Sequence, residues 1–170
     1  ELTAAFNQLR QANFDRLVEL GLSRDNASIP ENSALYDQVL DVTTFLGAVP
    51  ARFAGKKGLD LHFSLARGDK DVPPLEMTKW FDTNYHYLVP EFSLDQRFEL
   101  SWHELFEETA EALALGHKVK PVIIGPLTYL WLGKAKGNAF DKLELLENLL
   151  PVYADILSRL AEQGVEWVQL

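Results

Sequence analysis

The sequence predicts an α/β fold with a parallel sheet, and three observations carry that prediction. Helical stripes of apolar residues alternate with short apolar segments, the pattern of βαβ units. Val119-Lys120-Pro121-Val122-Ile123-Ile124-Gly125 is short, β-branched and bounded by turn formers, as expected of a strand buried on both faces. The 170 residues, 47% of them hydrophobic, suffice for one core. A complete (β/α) barrel takes about 250 residues. The chain opens on a helix and ends on a strand, so it reads as a partial (β/α)8 TIM-type barrel cut from a larger one.

Residues 1–20 form a helix on the stripe Leu2, Phe6, Leu9, Phe14, Leu17, Val18 and Leu20, with Gly21 as its stop. Residues 23–33 are polar and turn-rich around Ser28-Ile29-Pro30, the end of a strand. A second helix runs from Tyr36 to Leu46 and closes at Gly47. Lys56-Lys57-Gly58 is a turn, and Asp60 caps a short helix that passes Leu65 and ends near Gly68. After the loop Asp71-Val72-Pro73-Pro74, residues Thr78, Trp80 and Phe81 favour a strand that leaves the sheet before Pro90. Phe98 to Leu100 is another short strand. Ser101 with Glu104 forms a capping box opening a helix that ends at Gly116. Asp141 with Glu144 repeats the pattern, and the helix it opens reaches Gln163, with Gly164 as its stop. Pro151 inside that helix should kink or break it. Val165 to Leu170 is a last strand.

Composition removes several function classes. Lys and Arg number 16 against 25 Asp and Glu, a net charge of −9. A groove for nucleic acid needs the opposite surplus, so no nucleic-acid partner is expected. The acidic balance serves solubility, and a polyanionic ligand would need a local cation against it. No apolar run approaches the roughly 18 residues of a membrane span. Glu1 to Ala5 show no basic region ahead of an apolar one, so they are not a signal peptide. With no cysteine, the chain holds neither a disulfide framework nor thiolate metal ligands. A reducing, cytoplasmic setting is the expectation.

The stretch from Glu76 to Phe92 fits neither simple periodicity. It sets Glu76, Lys79, Asp82, Asn84, His86 and Glu91 among five aromatic residues. Large flat side chains with a few polar groups between them suit a small-molecule site. Lys79, between Thr78 and Trp80, could set an ammonium against a ligand carboxylate; the plainer reading is a surface lysine lying over an aromatic. Asn84 offers an amide with donors and an acceptor; otherwise it is a turn asparagine bonding its own backbone. Asp82 and Thr83 shape the loop. His86 could shuttle a proton or bind metal, though a histidine between tyrosines more often packs. His62, His103 and His117 lack short ligand spacing, so no metal site is expected. Glu76 and Glu91 could serve as a glycosidase pair beside Trp80 and Trp102, but such glutamates more often pair with Lys or Arg. Trp80, Phe81, Tyr85 and Tyr87 could stack on a flat ligand, while core packing suits at least half of them. Lys118 and Lys120 sit where a helix end and a strand start favour cations anyway.

This stretch closely resembles a signature of cobalamin-independent methionine synthase, in the N-terminal half of that enzyme. Six further blocks follow the family's order: Ile29 to Asp41, Leu46 to Arg52, Ala66-Arg67-Gly68, Ala114 to Val122, Gly125 to Leu130, and Leu150 to Tyr153. The resemblance spans essentially the whole chain. It implies that residues 1–170 are roughly half of the N-terminal barrel of a two-barrel enzyme. A preceding strand with its Gly-rich loop, an acidic loop after Leu170 and the C-terminal zinc-binding barrel would lie outside.

The family transfers a methyl group from 5-methyltetrahydropteroyltri-L-glutamate to L-homocysteine, forming methionine without cobalamin. Its zinc ligands include cysteines of the C-terminal barrel, so this chain would hold neither zinc nor catalytic residues. Alone it would be inactive, contributing scaffold and folate-tail binding. In relatives the lysine matching Lys79 contacts the folate's glutamate tail, and in some the asparagine matching Asn84 does too. A charge-assisted bond of this kind is worth about 1.5–3 kcal/mol, less when solvated. Two other readings stay open: a glycosidase-like barrel fragment, which hydrolysis of a chromogenic glycoside would reveal, and a non-catalytic binding or assembly module, which the length of the parent reading frame would discriminate. A half-barrel leaves strand edges open, which favours a homodimer or domain swap.

Overall fold

A computed structural model describes residues 2–25, 29–31 and 33–170, with side chains for 2–25 and 33–170. The chain forms two compact units. The strand end expected at Ser28-Ile29-Pro30 is β1 (Ile29–Glu31); Ser28 itself lies outside the described residues.

The first unit gathers residues 1–33, 104–122 and 157–170. It holds α1 (Leu2–Glu19), β1 and α4 (Glu104–Ala114), with β5 (Val119–Pro121) parallel to β1 in the register Ile29 to Val119. Phe14, Ala112 and Val119 form its core, with Leu17, Leu22 and Leu115 against them. The apolar stripe expected of α1 is only partly buried. Leu2, Leu9 and Leu20 are exposed, while Arg10 is buried. Its guanidinium meets Glu108 at 2.8 Å and Glu111 at 2.6 Å, and a paired, fully hydrogen-bonded charge can be buried where a lone one cannot.

The strand expected at 165–170 does not form. One parallel bridge joins Gln169 to Val122, and Trp167 and Leu170 stay exposed, so the segment lacks the ladder that would make it a strand. The helix before it, α6 (Leu146–Glu162), belongs through Ile156 to the second unit and from Leu157 to the first.

The second unit comprises residues 34–103 and 123–156. Leu40, Phe53, Leu65, Ala66, Leu75 and Leu88 form one buried cluster. They come from α2 (Gln38–Phe45), a 3-10 turn (Ala51–Phe53), α3 (Gly58–Arg67), the segment before β2 (Met77–Lys79) and the strand β3 (His86–Leu88). β2 and β3 pair antiparallel. β4 (Glu91–Phe92) runs parallel to β6 (Lys134–Ala135), which follows α5 (Pro126–Leu132). The described strands thus form three two-stranded sheets, two of them parallel. The α/β class is as the sequence predicts.

Several local expectations change. Trp80 and Phe81 fall in a turn rather than a strand. No strand forms at 98–100: the Glu99 N–H donates to Leu46 and the Ser101 N–H to Phe45, so these residues cap the end of α2 instead of joining a sheet. Ser101 is no N-cap, because its hydroxyl donates to the Thr44 carbonyl at 2.5 Å, and α4 begins at Glu104. α3 starts after Lys57, which leaves Asp60 inside the first turn, where an acid faces the positive end of the helix dipole. α6 passes through Pro151 without a break. Pro151 is exposed and in the second turn, where its missing N–H costs only the bond to Glu147. Asp141 does cap, accepting from Leu143 N–H at 3.0 Å, but it opens a 3-10 turn (Lys142–Leu145) ahead of α6. The glycines expected to stop helices, Gly21, Gly47, Gly116 and Gly164, all have positive φ.

Candidate functional site

The stretch that sequence singles out folds as a β-hairpin. β2 and β3 pair with Met77 opposite Leu88, Thr78 opposite Tyr87 and Lys79 opposite His86. The ladder extends at both ends: Val89 N–H donates to Glu76 at 2.7 Å, and Trp80 N–H donates to Tyr85 at 2.7 Å. Four residues, 81–84, therefore make the tip. Thr83 closes it. Its hydroxyl donates to the Trp80 carbonyl at 2.6 Å and accepts from Tyr85 N–H at 3.2 Å, the side-chain-to-backbone bonding typical of threonine in turns.

Lys79 ends β2 and is exposed. Among the described residues no hydrogen bond or ion pair engages its ammonium, in contrast to Lys56, Lys118 and Lys134, which pair with Asp69, Glu166 and Glu76. Asn84 sits at the tip, exposed. Its backbone carbonyl accepts from His86 Nδ1 at 2.9 Å, while its side-chain amide bonds nothing among the described residues. Thr83, not Asn84, thus does the turn-making. Because the carbonyl can only accept, Nδ1 of His86 is the donor in this bond. His86 is exposed rather than packed.

The aromatic side chains divide as the polar ones do. Trp80 is the hub, meeting Phe81, Tyr85 and Tyr87 edge-on at 5.3, 6.3 and 5.9 Å between ring centres. Tyr87 is buried, and its hydroxyl donates to the Leu132 carbonyl at 3.0 Å. Phe81 is 64% exposed and holds φ at +50°, a conformation uncommon for a bulky residue. The hairpin thus presents an ammonium, an amide and two exposed rings, Phe81 and Tyr85, on a rigid base.

Asp37, which sequence reading passed over, fixes that base. Its Oδ1 accepts from Val39 N–H at 2.8 Å and Leu40 N–H at 2.9 Å, capping α2, while its Oδ2 accepts from Leu88 N–H at 3.1 Å. Burial pushes this carboxyl up from its ordinary value, against the pull of the three N–H bonds. The signal was available: an acid directly before a run of apolar helical positions is an N-cap pattern.

The two glutamates flanking the hairpin are both spoken for. Glu76 meets Lys134 at 2.6 Å, which holds its carboxyl below the usual range. Glu91 receives both arms of Arg52, at 2.5 and 3.1 Å. Glu91 and Arg52 also line a cleft of about 740 Å³ with Asp95, Arg97, Glu99 and Lys136. Lys79 and Asn84 do not line it, and its charges are balanced. Among the described residues no three His, Asp or Glu side chains gather to hold a metal ion, and no helix is long and apolar enough to cross a membrane.

A family model described as the cobalamin-independent synthase N-terminal domain matches residues 1–170. The match covers every segment described above, the hairpin included, and the chain belongs to that family.

Proposed function

We propose that this chain is the part of a methyltransferase that holds the acidic tail of the methyl donor. In this reading the full-length enzyme moves a methyl group from 5-methyltetrahydropteroyltri-L-glutamate to L-homocysteine. The chain contributes part of an N-terminal (β/α) barrel, and no reacting group. The observation that supports it most is the Lys79 ammonium, exposed and without a partner among the described residues, on a protein of net charge −9. A triglutamyl tail carries several carboxylates, and a cation with no carboxylate of its own is free to meet one. Asn84, at the tip of the same hairpin, adds an amide whose N–H groups can donate to a second. The rigid hairpin lowers the entropy lost on binding.

Zinc, which would supply a thiolate nucleophile from homocysteine, does not fit the residues present. There is no cysteine, and no three ligating side chains converge among the described residues. In this reading the chemistry belongs to a part of the full-length enzyme outside this chain. Cobalamin is not needed, as the family's description states. The glycosidase reading loses ground on the same geometry. A glycosidase acid needs a raised pKa, whereas Glu76 is held low by Lys134.

Steady-state kinetics of the full-length enzyme with donors carrying one or three glutamates test the proposal. Lys79→Gln should raise KM for the triglutamyl donor and leave kcat with saturating donor unchanged, since the residue binds without reacting. An unchanged KM would remove Lys79 from the site.

A further inference from the structure

We infer that Asp37 is a positioning residue for the donor tail: through one carboxylate it seats the hairpin bearing Lys79 and Asn84 on the N-terminus of α2. The inference rests on the reading of Lys79 as tail anchor. Oδ1 of Asp37 is used by α2, through Val39 and Leu40 N–H, and Oδ2 by β3, through Leu88 N–H. Leu88 pairs with Met77, the first residue of β2, so the clasp closes on the base of the hairpin. Toward the tip the hairpin is held by its own backbone. Tyr85 follows Asn84, and Trp80, one residue past Lys79, bonds Tyr85 through its backbone.

The N-terminus of α2 therefore meets the hairpin at its base, where β3 ends. A hairpin with only its own ladder is marginally stable in water, and a helix terminus with unpaired N–H groups is a fixed point to tie it to. Asp37 is 2% exposed, which keeps water from competing for its oxygens. The carboxylate is suited to this because it accepts on both oxygens, and neither Asn nor Ser can do both jobs. Asn keeps one accepting oxygen for α2 and would turn its NH₂ toward Leu88 N–H. Ser caps α2 and leaves Leu88 N–H without an acceptor.

The test is a double-mutant cycle in the full-length enzyme, with binding of triglutamyl and monoglutamyl 5-methyltetrahydrofolate read by calorimetry. The variants are D37N, K79A and the pair, with D37S in place of D37N where the asparagine variant does not fold. Asp37→Asn should weaken the triglutamyl donor about tenfold and the monoglutamyl donor less than about twofold. In the Lys79→Ala background the same change should add little, because Asp37 acts through the hairpin that carries Lys79. A merely structural Asp37 would weaken both donors alike, or add its full effect to that of K79A, and either result overturns the inference. If K79A itself leaves the preference for the longer tail intact, the Lys79 reading fails. If K79A removes that preference while D37N keeps it, Asp37 alone is excluded.

Discussion

Gly133 lies flat against the ring of Phe92. A Cβ built on Gly133 would fall onto the ring's Cε2 atom, and the Phe92 ring cannot retreat, being fully buried and set edge-on to Tyr129 at 5.4 Å and Phe98 at 6.2 Å. The contact sets β4, the strand that follows the hairpin, against the end of α5, one residue before β6. Gly133→Ala should cost about 1–3 kcal/mol as an overpacking substitution. Thermal unfolding checks it: the melting temperature should fall by several degrees, while Gly137→Ala, where a Cβ would meet open space, gives only the smaller cost of a positive φ.

Tyr129 and Thr43 form a short buried relay. The Tyr129 hydroxyl donates to Thr43 Oγ1 at 3.1 Å, and that hydroxyl donates on to the Val39 carbonyl at 2.8 Å. Tyr129→Phe keeps the ring, which is fully buried, and removes one neutral hydrogen bond. The expected loss is about 1 kcal/mol in urea unfolding, with the denaturant slope unchanged.

His62 makes stability depend on pH. It is 0% exposed, packed edge-on against Trp102 at 5.2 Å, and its ring nitrogens make no hydrogen bond among the described residues. Asp41 lies 3.5 Å from Nε2 and would by itself favour the charged ring. Burial outweighs it, and the pKa is pushed down from 6.5 to about 4. Between pH 6.5 and 4 the unfolded chain takes up a proton that the folded one refuses, so stability is full above pH 6.5 and falls as pH drops toward 4. The swing is on the order of 3 kcal/mol at most, less with Asp41 so near. His62→Leu should flatten that part of the profile; an equally steep fall in the variant would assign the effect to other groups.

Much of the fold is legible in the sequence because it is written locally. α1, α2, α3 and α6 declare themselves by apolar spacing and glycine stops, whereas of the strand expected at 119–125 only Val119–Pro121 forms and the run Val122-Ile123-Ile124 lies beyond it. What was not legible depends on distant partners. Arg10 is buried only because Glu108 and Glu111, about a hundred residues away, neutralise it. Residues 98–101 look like a strand and a cap until the free carbonyls at the end of α2 claim their N–H and hydroxyl groups. Residues 165–170 have strand composition but only one bridge. At the candidate site, the sequence singled out Lys79 and Asn84 as polar groups among aromatics, and the family resemblance gave them a role. The hairpin that holds them, the turn bonds of Thr83 and the clasp of Asp37 needed coordinates, since each is a contact across a register that sequence does not print.

Calorimetric titration of triglutamyl 5-methyltetrahydrofolate into the full-length enzyme, with and without Lys79→Ala, tests the central claim most directly. A tail anchor predicts binding weakened by about 1–3 kcal/mol, toward the lower end for an exposed ammonium, and a monoglutamyl donor far less affected. Equal affinities for the two proteins would contradict it, leaving Lys79 an ordinary surface lysine and the hairpin a packing element.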